Sequence, residues 1–372
     1  MRIGIDARLI QETGVGRYIR NLIAELARLD TTNEYVIFLR KKEFDFFILP
    51  NNRWSKVIAD VPWHSVSEQL IIPWVFLRAR LDIVHIPYFN VPILYPKKFI
   101  VTIHDLTILH ADTGKASTKP LWFYKIKRAG YRCILWVALL RASHVLTVSY
   151  TVKEDIHTQF QTPLTNITVT YEGIDEALLD KKRQPTTMRA KYGRYFLYVG
   201  NVYPHKNIEM LLSAYETYAA HVERPARLVF VGPDDYFYAK LKRVIGSLAF
   251  AKNITLLHNV ADASLRQLYT RAIALLFPSR MEGFGLPAIE ASALGCAVIC
   301  SDIPVFHEIL GSNAIFVDTT DANRFSQALI RVDREPIKND ESAKLIAQIV
   351  AKYSWTRMVQ KTVWVYTEVN KK

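Results

Sequence analysis

Cysteine is scarce in this chain of 372 residues, with Cys133, Cys296 and Cys300 as its three thiols. So small and odd a number excludes the disulfide framework that stabilises many small secreted domains. Cys296 and Cys300 also lack the second pair of ligands that a zinc site of this kind requires. We therefore expect a protein of a reducing compartment, the cytoplasm, without disulfide bonds.

Long apolar runs are also missing. The longest, Cys133 to Leu140, is far shorter than the ~20 residues that a helix needs to cross a bilayer. The N-terminal segment from Met1 to Ala7 alternates like a β-strand and has none of the long apolar core of a secretory signal. The sequence therefore predicts neither a membrane-spanning segment nor a signal peptide.

Acidic residues are absent from Thr113 to Lys153, in a chain whose net charge is +13. Such an excess attracts nucleic acid, membrane surfaces or phosphorylated small molecules. Within 115–141 the cations are interleaved with aromatic residues, which suits a peripheral contact with an anionic membrane and equally a solvated helix with inward-facing aromatics. Both interpretations stay open. No DNA-reading helix or zinc module is recognisable, so nucleic acid is not an expected partner. The basic residues from Thr113 onward are Lys115, Lys119, Lys125, Lys127, Arg128, Arg132, Arg141 and Lys153, and the aromatic ones include Trp122, Phe123, Tyr124, Tyr131 and Trp136.

Short β-branched runs alternate with helical patterns along most of the chain. Runs that are apolar at consecutive positions are typical of strands buried on both faces of a parallel sheet. We expect an α/β fold of two Rossmann-like, doubly wound domains, over 1–181 and 191–353, joined by a charged linker at 181–194. Ser354 is a candidate N-cap for a final helix, 354–372, which packs back on the first domain. The predicted strands are Ile3–Asp6, Tyr35–Leu39, Asp82–Ile86, Phe99–Ile103, His144–Val148, Ile167–Tyr171, Tyr195–Val199, Leu228–Val231, Ile254–Leu257, Ile273–Phe277 and Ala297–Cys300.

The glycine-rich turn after the first strand is incomplete as a dinucleotide fingerprint. Gly14, Gly16 and Arg17 open the first predicted helix, where free amides and the positive dipole end suit a diphosphate. The third glycine position is Ile19, however, and no acidic residue ends the next strand. This argues against a nucleotide-binding dehydrogenase. A tight turn without a ligand explains the same glycines.

The equivalent turn of the second domain runs from Gly200 to Asn207 and contains Lys206. A lysine that enters a helix at this end of a sheet can neutralise a leaving diphosphate. A surface lysine is the alternative, although the helix dipole slightly disfavours a cation there.

The most specific pattern is Glu282-Gly-Phe-Gly-Leu-Pro-Ala-Ile-Glu290, which follows another apolar strand. Glycines bracket a turn, and Pro287 fits the first turn of a helix. This places the carboxylate of Glu282 in the loop and that of Glu290 on the helix. Paired carboxylates also occur in glycoside hydrolases, but a hydrolase needs no diphosphate cradle.

These elements together resemble family 4 of the retaining GT-B glycosyltransferases, also called glycosyl transferases group 1. Glu282 to Glu290 matches the family's E-x7-E signature, and Gly200 to Asn207 resembles its Gly-x4-His/Pro-Lys-Asn element. The likeness spans nearly the whole chain and is greatest to bacterial mannosyltransferases of polysaccharide assembly. Further matching segments are Gly14–Arg17, Thr102–Leu106, Ser301–Pro304 and Glu308–Gly311.

The resemblance implies a role for each matching residue in a cleft between the two domains. Glu290 would hold the donor ribose, Glu282 the donor hexose, and Gly16 and Lys206 the diphosphate, while His104 would lie near the reactive carbon. Amides of Phe284, Gly285 and Leu286 would add donors to the sugar and phosphate. The family commonly has a second cation where this chain has Asn201, and Arg280 and Arg17 are the candidate substitutes.

The resemblance implies a metal-independent, retaining hexosyltransferase without a cofactor. GDP-mannose is the expected donor, a UDP-sugar the alternative, and a saccharide, lipid-linked if the basic stretch touches membrane, the acceptor. His104, Asp105 and His110 have no recognisable metal-ligand spacing. A lone histidine after a strand is more often a hydrogen-bonded core residue, so both roles of His104 stay open.

Overall fold

The computed structural model describes residues 1–110, 121–180, 192–335 and 342–371. Most of the predicted linker, 181–191, lies outside these ranges, as do Lys115 and Lys119. The chain divides into two compact units. Unit 1 comprises 1–110, 121–172 and 354–371, and unit 2 comprises 173–180, 192–335 and 342–353.

Unit 1 contains a seven-stranded parallel sheet in the order β3-β2-β1-β4-β5-β6-β7. Sequential strands run outward from β1 in one direction and from β4 in the other, which is the Rossmann arrangement. Buried apolar residues of the strands and helices form its core. The strands are β1 (Arg2–Asp6), β2 (Glu34–Leu39), β3 (Trp54–Ile58), β4 (Ile83–Ile86), β5 (Phe99–Ile103), β6 (His144–Thr147) and β7 (Ile167–Val169). The helices are α1 (Gly14–Leu29), α2 (Lys41–Phe44), α3 (Val66–Arg78), α4 (Thr107–His110), α5 (Leu121–Arg141) and α6 (Tyr150–Phe160), with a 3₁₀ turn at Leu164–Asn166.

Unit 2 repeats the arrangement in a six-stranded parallel sheet, β10-β9-β8-β11-β12-β13. Its strands are β8 (Tyr195–Val199), β9 (Arg227–Gly232), β10 (Ile254–His258), β11 (Ala274–Phe277), β12 (Ala297–Ser301) and β13 (Ile315–Val317). Its helices are α7 (Glu176–Leu179), α8 (Ile208–His221), α9 (Tyr236–Gly246), α10 (Asp262–Arg271), α11 (Leu286–Ala293), α12 (Pro304–Leu310), α13 (Ala322–Arg334) and α14 (Ser342–Lys352), with 3₁₀ turns at Pro204–Lys206 and Ala251–Asn253.

The last helix, α15 (Trp355–Lys371), belongs to unit 1 and packs against α1. The Tyr366 hydroxyl lies 2.6 Å from Nδ1 of the buried His85 on β4, and Lys361 donates to the carbonyl of Val169. An Arg28 guanidinium also donates to Thr356. Polar contacts to β4, β7 and α1 therefore accompany the apolar face of α15.

The two sheets confirm the predicted α/β class, and each of the eleven predicted strands matches an observed strand to within two residues at either end. Two further strands, β3 and β13, were not predicted. β3 lies at the sheet edge, and its half-buried residues lack the continuous apolar pattern of a central strand. β13 has three residues, too few for a periodic signal.

Candidate active site

Each sheet has one place where the strand order reverses, between β1 and β4 in unit 1 and between β8 and β11 in unit 2. Ligands of open parallel sheets bind outside the carboxyl ends of the strands at such a switch point. The candidate site residues of unit 2 follow β8 and β11, so they lie where a ligand is expected.

The loops after β8 and β11 bring together Lys206 and Glu282, whose Nζ and Oε1 atoms are 2.5 Å apart. Their side chains are 13% and 10% exposed, so the ion pair is largely removed from water. Lys206 Nζ also lies 5.7 Å from the centroid of the Phe277 ring, which closes β11. A dehydrated ammonium with a single carboxylate counterion is a site where an anionic ligand interacts strongly.

Backbone geometry fixes both loops around this pair. Asn207, at the start of α8, has a left-handed φ of 59°, and its amide group donates to the carbonyl of Thr319. The backbone N–H of Arg280 donates to the carbonyl of His205 at 2.8 Å. Arg280 is exposed, and this bond joins its loop to the residue that precedes Lys206.

The helix α11 begins at Leu286, four residues after Glu282. Gly285 precedes it with a φ of +95°, and a Cβ there would come within 2.9 Å of the Phe306 ring. Buried Phe284 packs edge-on against Tyr353, and Pro287 occupies the first turn. Amides of a first helical turn have no carbonyl acceptor within the helix, so Gly285 and Leu286 present donors at a positive dipole end.

Glu290 lies one turn further along α11 and is 1% exposed. Its Oε2 accepts a hydrogen bond from the hydroxyl of Tyr269 at 2.8 Å. The carboxylate is therefore held inside unit 2, buried more deeply than the loop carboxylate Glu282. The structure pairs Lys206 with Glu282 and gives Glu290 a separate partner.

Asn201 occupies the position where the resemblance leads us to expect a cation. Its backbone carbonyl accepts from the hydroxyl of Tyr198 at 2.5 Å. Within the ranges that the structure describes, its buried Oδ1 has no hydrogen-bond partner. Asn201 thus offers a polar acceptor but no positive charge.

The glycines of the first loop have different surroundings. A Cβ on Gly14 would meet nothing within 4 Å, whereas one on Gly16 would lie 2.7 Å from the carbonyl oxygen of Ile10. Gly16 is therefore needed for packing against the loop before α1, whatever it binds. Arg17 is half-buried, and its backbone N–H donates to the carbonyl of Thr13.

His104 follows β5 in unit 1 and is 12% exposed. Its Nδ1 lies 3.2 Å from Oε1 of Glu172, and its Nε2 lies 3.1 Å from the carbonyl oxygen of Pro87. Both ring nitrogens thus face oxygen acceptors, and a ring protonated at both would donate to each. Asp105, which directly follows His104, accepts a hydrogen bond from the backbone N–H of Thr107. No sequence pattern pointed to Glu172, because it lies 68 residues from His104 along the chain.

A second polar cluster, which the sequence did not predict, lies at the switch point of unit 1. It consists of Asp6 at the end of β1, Arg8 two residues later, Asn90 after β4, and Glu68 in the first turn of α3. Arg8 makes two hydrogen bonds to Asp6, at 2.8 and 2.7 Å, and an ion pair with Glu68 at 2.9 Å. Burial raises the pKa of Glu68. The available signal was that Asp6 ends β1 and that Arg8 comes two residues after it.

The described part of the basic stretch makes contacts within unit 1. Arg128 donates to the carbonyl of Leu109, and Arg141 donates to the carbonyls of Ile93 and Tyr95. Side chains of 121–127 lie outside the description. In the described ranges, no helix is long and apolar enough to span a membrane, and no cluster of three or more His, Cys, Asp or Glu residues could hold a metal ion.

Two protein-family models together match nearly the whole chain. The family model Glycosyl transferases group 1 matches residues 172–348, and the model Glycosyltransferase Family 4 matches residues 13–178. The O-antigen chain mannosyltransferase RfbU of Salmonella typhimurium is 28% identical over 84% of this chain and 81% of its own length. The O-antigen chain mannosyltransferase B of Escherichia coli is 25% identical over 95% and 96%. Sucrose-phosphate synthase from Thermosynechococcus elongatus superposes over 99% of both chains with a TM-score of 0.75, at 18% identity.

Proposed function

Because the chain belongs to the group 1 and family 4 glycosyltransferases and has their GT-B fold of two Rossmann-like units, we propose that it transfers a hexose from a nucleotide diphosphate sugar to a saccharide in surface polysaccharide assembly. Two similar proteins are named as O-antigen chain mannosyltransferases, which supports mannose, supplied as GDP-mannose, as the sugar. The chain is a glycosyltransferase; the donor and the acceptor are the proposal.

The observation that carries this proposal is the Lys206–Glu282 pair at the switch point of unit 2. In our proposal the donor diphosphate takes the place of the carboxylate as the counterion of Lys206. Glu282 is then released to accept hydrogen bonds from the hexose hydroxyls. Lys206 stabilises the charge that grows on the leaving diphosphate as the glycosidic bond breaks.

The remaining contacts follow from the residues around this pair. Glu290 binds the ribose hydroxyls once its bond to Tyr269 is exchanged, and the amides of Phe284, Gly285 and Leu286 bind sugar and phosphate. Arg280 is the better substitute for the missing cation in unit 2, because its backbone is bonded to the residue before Lys206. Gly14, Gly16, Arg17 and His104 keep the roles that the family resemblance implies for them, and Asn201 contributes a polar group.

We further propose that the anomeric configuration is retained by front-face attack. In our proposal Lys206 binds the diphosphate and Glu282 binds the hexose hydroxyls, so neither side chain of the pair is assigned as a covalent nucleophile. The acceptor hydroxyl would attack beside the departing diphosphate, whose oxygen takes the hydroxyl proton while Lys206 holds the charge. Lys206 and the amides replace a divalent ion in this scheme, so transfer would need no metal.

A panel of nucleotide sugars tests this function. The intact protein is incubated with GDP-mannose, GDP-glucose, UDP-glucose and UDP-galactose, and release of the nucleoside diphosphate is measured with and without EDTA. We expect cleavage of GDP-mannose, unaffected by EDTA. Preference for a UDP-sugar would show that GDP-mannose is not the donor. Loss of activity in EDTA with recovery in Mn²⁺ would refute metal independence. If none of the nucleotide sugars were cleaved, the proposed donor site would be refuted.

The acceptor is proposed to be lipid-linked, because unit 1 exposes large apolar side chains on one face. The α3–α5 face consists of Val66, Leu70 and Trp74 on α3, Leu94, and Trp136 and Leu140 on α5, all exposed. Gln69 of α3 exchanges hydrogen bonds with Val91 and Ile93, and Arg141 of α5 donates to Ile93 and Tyr95. The two helices are thus tied to the same loop, with Leu94 between them.

Charge indicates what covers this face. The segments 66–80, 91–98 and 128–141 contain one carboxylate, Glu68, which is fully buried, whereas their cations include exposed Arg78, Arg80, Lys97, Lys98, Arg132 and Arg141. Exposed tryptophan and leucine ringed by cations suit the interface of an anionic bilayer. We therefore propose peripheral attachment to the cytoplasmic face of a membrane, through the α3–α5 face rather than through 115–141 alone.

A further inference from the structure

The switch point of unit 1 carries an aromatic surface that no role so far explains. It is formed by Trp63, His64 and Tyr88, whose rings pack edge-to-face, with Trp63–Tyr88 and His64–Tyr88 centroid distances of 5.7 and 6.2 Å and interplanar angles of 68° and 61°. His64 is exposed, while Trp63 and Tyr88 are half-buried. We propose that this aromatic platform binds the acceptor saccharide through an uncharged hexopyranose ring, an inference that rests on the proposed glycosyl transfer.

The platform lies beside the candidate reaction residue of unit 1. Tyr88 directly follows Pro87, whose carbonyl oxygen is 3.1 Å from Nε2 of His104. One short loop after β4 therefore links the platform to His104. A sugar stacked on the platform would lie near the residue that is expected beside the donor's reactive carbon.

The buried polar cluster beneath holds the platform in place. The guanidinium carbon of Arg8 lies 5.1 Å from the centroid of the Trp63 ring, and Oε2 of Glu68 accepts from the backbone N–H of His64 at 2.9 Å. That bond fixes His64 at a left-handed φ of 55°, which costs a non-glycine residue energy and often marks a functional site. Asn90 donates to the same carboxylate oxygen. Arg8, Glu68 and Asn90 are therefore positioning residues.

Apart from Oε1 of Glu68, which is in the ion pair with Arg8, three buried polar atoms in this cluster have no hydrogen-bond partner among the described residues. They are the Nη1 atom of Arg8, the indole Nε1 of Trp63 and Oδ1 of Asn90. Buried donors and acceptors are nearly always satisfied, so two donors and one acceptor gathered here indicate a missing partner. Sugar hydroxyls both donate and accept, and they match this mixture.

Charge determines the class of ligand. The cluster contains one cation, Arg8, and two carboxyl groups, Asp6 and Glu68, both within hydrogen-bonding or ion-pair distance of it. It therefore has no positive charge to spare for a phosphate or carboxylate. The apolar C–H face of a neutral pyranose packs well on aromatic rings, whereas an anionic sugar would be repelled.

Fluorescence titration with methyl α-D-mannopyranoside and no donor tests the platform directly. All seven tryptophans, at 54, 63, 74, 122, 136, 355 and 364, belong to unit 1, so their emission reports on that unit alone. We expect saturable binding to the intact protein, weaker by about ten-fold in Trp63→Ala and unchanged in the matched control Trp364→Phe. Mannose 6-phosphate should bind more weakly than the neutral sugar.

Trp63→Phe guards against misfolding, because it keeps an aromatic face while it removes the indole N–H and part of the ring area. It should keep the wild-type melting temperature and bind the sugar a few-fold more weakly. Wild-type-like binding by Trp63→Ala, tighter binding of the sugar phosphate, or no saturable binding by the wild type would overturn the platform. No donor is present in this titration. Its result is therefore independent of the nucleotide-sugar panel, and the two proposals can fail separately.

Discussion

Gly285 shows at the scale of one residue how the donor loop depends on backbone conformation. Its φ of +95° and the 2.9 Å approach of Phe306 leave no place for a Cβ. We expect Gly285→Ala to lower the free energy of unfolding of unit 2 by about 2–4 kcal/mol, from backbone strain and overpacking. Calorimetric unfolding of the intact protein measures this.

The matched control for this change is Gly246→Ala. Gly246 ends α9, and a Cβ there would meet nothing within 4 Å. The control should leave unit 2 unchanged or slightly more stable, because alanine favours helix. Equal effects of the two changes would show that the turn before α11 tolerates a side chain.

His85 gives unit 1 a specific dependence on pH. Burial, with the nearby charge of His104, lowers the pKa of His85 from 6.5 to about 3. Below about pH 6.5 the unfolded chain binds a proton that the folded chain refuses, so stability falls as pH falls towards 3. This contributes about 2 kcal/mol of lost stability between pH 7 and pH 5.

His85→Gln removes this contribution, although it also costs stability at pH 7 by disturbing the bonds to Thr102 and Tyr366. Urea unfolding followed by tryptophan emission reports unit 1 alone. The wild type should lose more stability than the variant between pH 7 and pH 5. Parallel losses in both proteins would mean that His85 is charged in the folded state.

Site residues were predictable from the sequence where they directly follow a strand. Lys206 and Glu282 come after apolar runs, and parallel strands bring such ends to one edge of the sheet. Glu172, Glu68 and Tyr269 reach their sites from distant segments, and no local pattern reports such contacts. The burial of Glu290 could not be predicted either. The E-x7-E spacing places Glu290 on the helix, but it does not show whether the side chain is exposed.

At the scale of elements, periodicity predicted the central strands but not β3 and β13, for which edge position and shortness removed the apolar signal. At α3 the apolar pattern does not identify which side of the helix is buried. Its residues Val66, Leu70 and Trp74 are apolar at helical spacing, yet they face solvent. Sequence alone does not show whether such a stripe meets the core, a bilayer or another protein.

Membrane attachment is tested on the α3–α5 face. Trp74 is 66% exposed, so Trp74→Glu should leave folding intact while placing a negative charge in the bilayer interface. We expect flotation with vesicles of phosphatidylglycerol and phosphatidylcholine for the wild type, and a loss of about ten-fold in the bound fraction for the variant.

Trp364→Glu is the matched control, because Trp364 is 56% exposed on α15 and lies outside this face. It should float like the wild type. Neutral vesicles should bind the wild type weakly, since the cations around the face then have no partner. Equal flotation of both variants would remove the α3–α5 face from the account.

At the scale of the whole molecule, the two units share one topology but carry different chemistry at their switch points. Unit 2 offers Lys206 with one counterion and an open helix start, which suits a diphosphate. Unit 1 offers aromatic rings above a cluster without surplus positive charge. This division is the basis of our proposal of a transfer between an anionic donor and a neutral acceptor.

The most direct test of the account is the rate of GDP-mannose cleavage by Lys206→Ala, with Glu290→Ala and Lys242→Ala alongside. Lys206→Ala should lower kcat by about 100-fold with a milder effect on donor binding, because the charge of Lys206 matters most as the bond breaks. Glu290→Ala should mainly raise the donor KM, and Lys242→Ala, an exposed change on α9, should behave as wild type. Equal, small effects of Lys206→Ala and Glu290→Ala would contradict the assignment of the donor site to the switch point of unit 2.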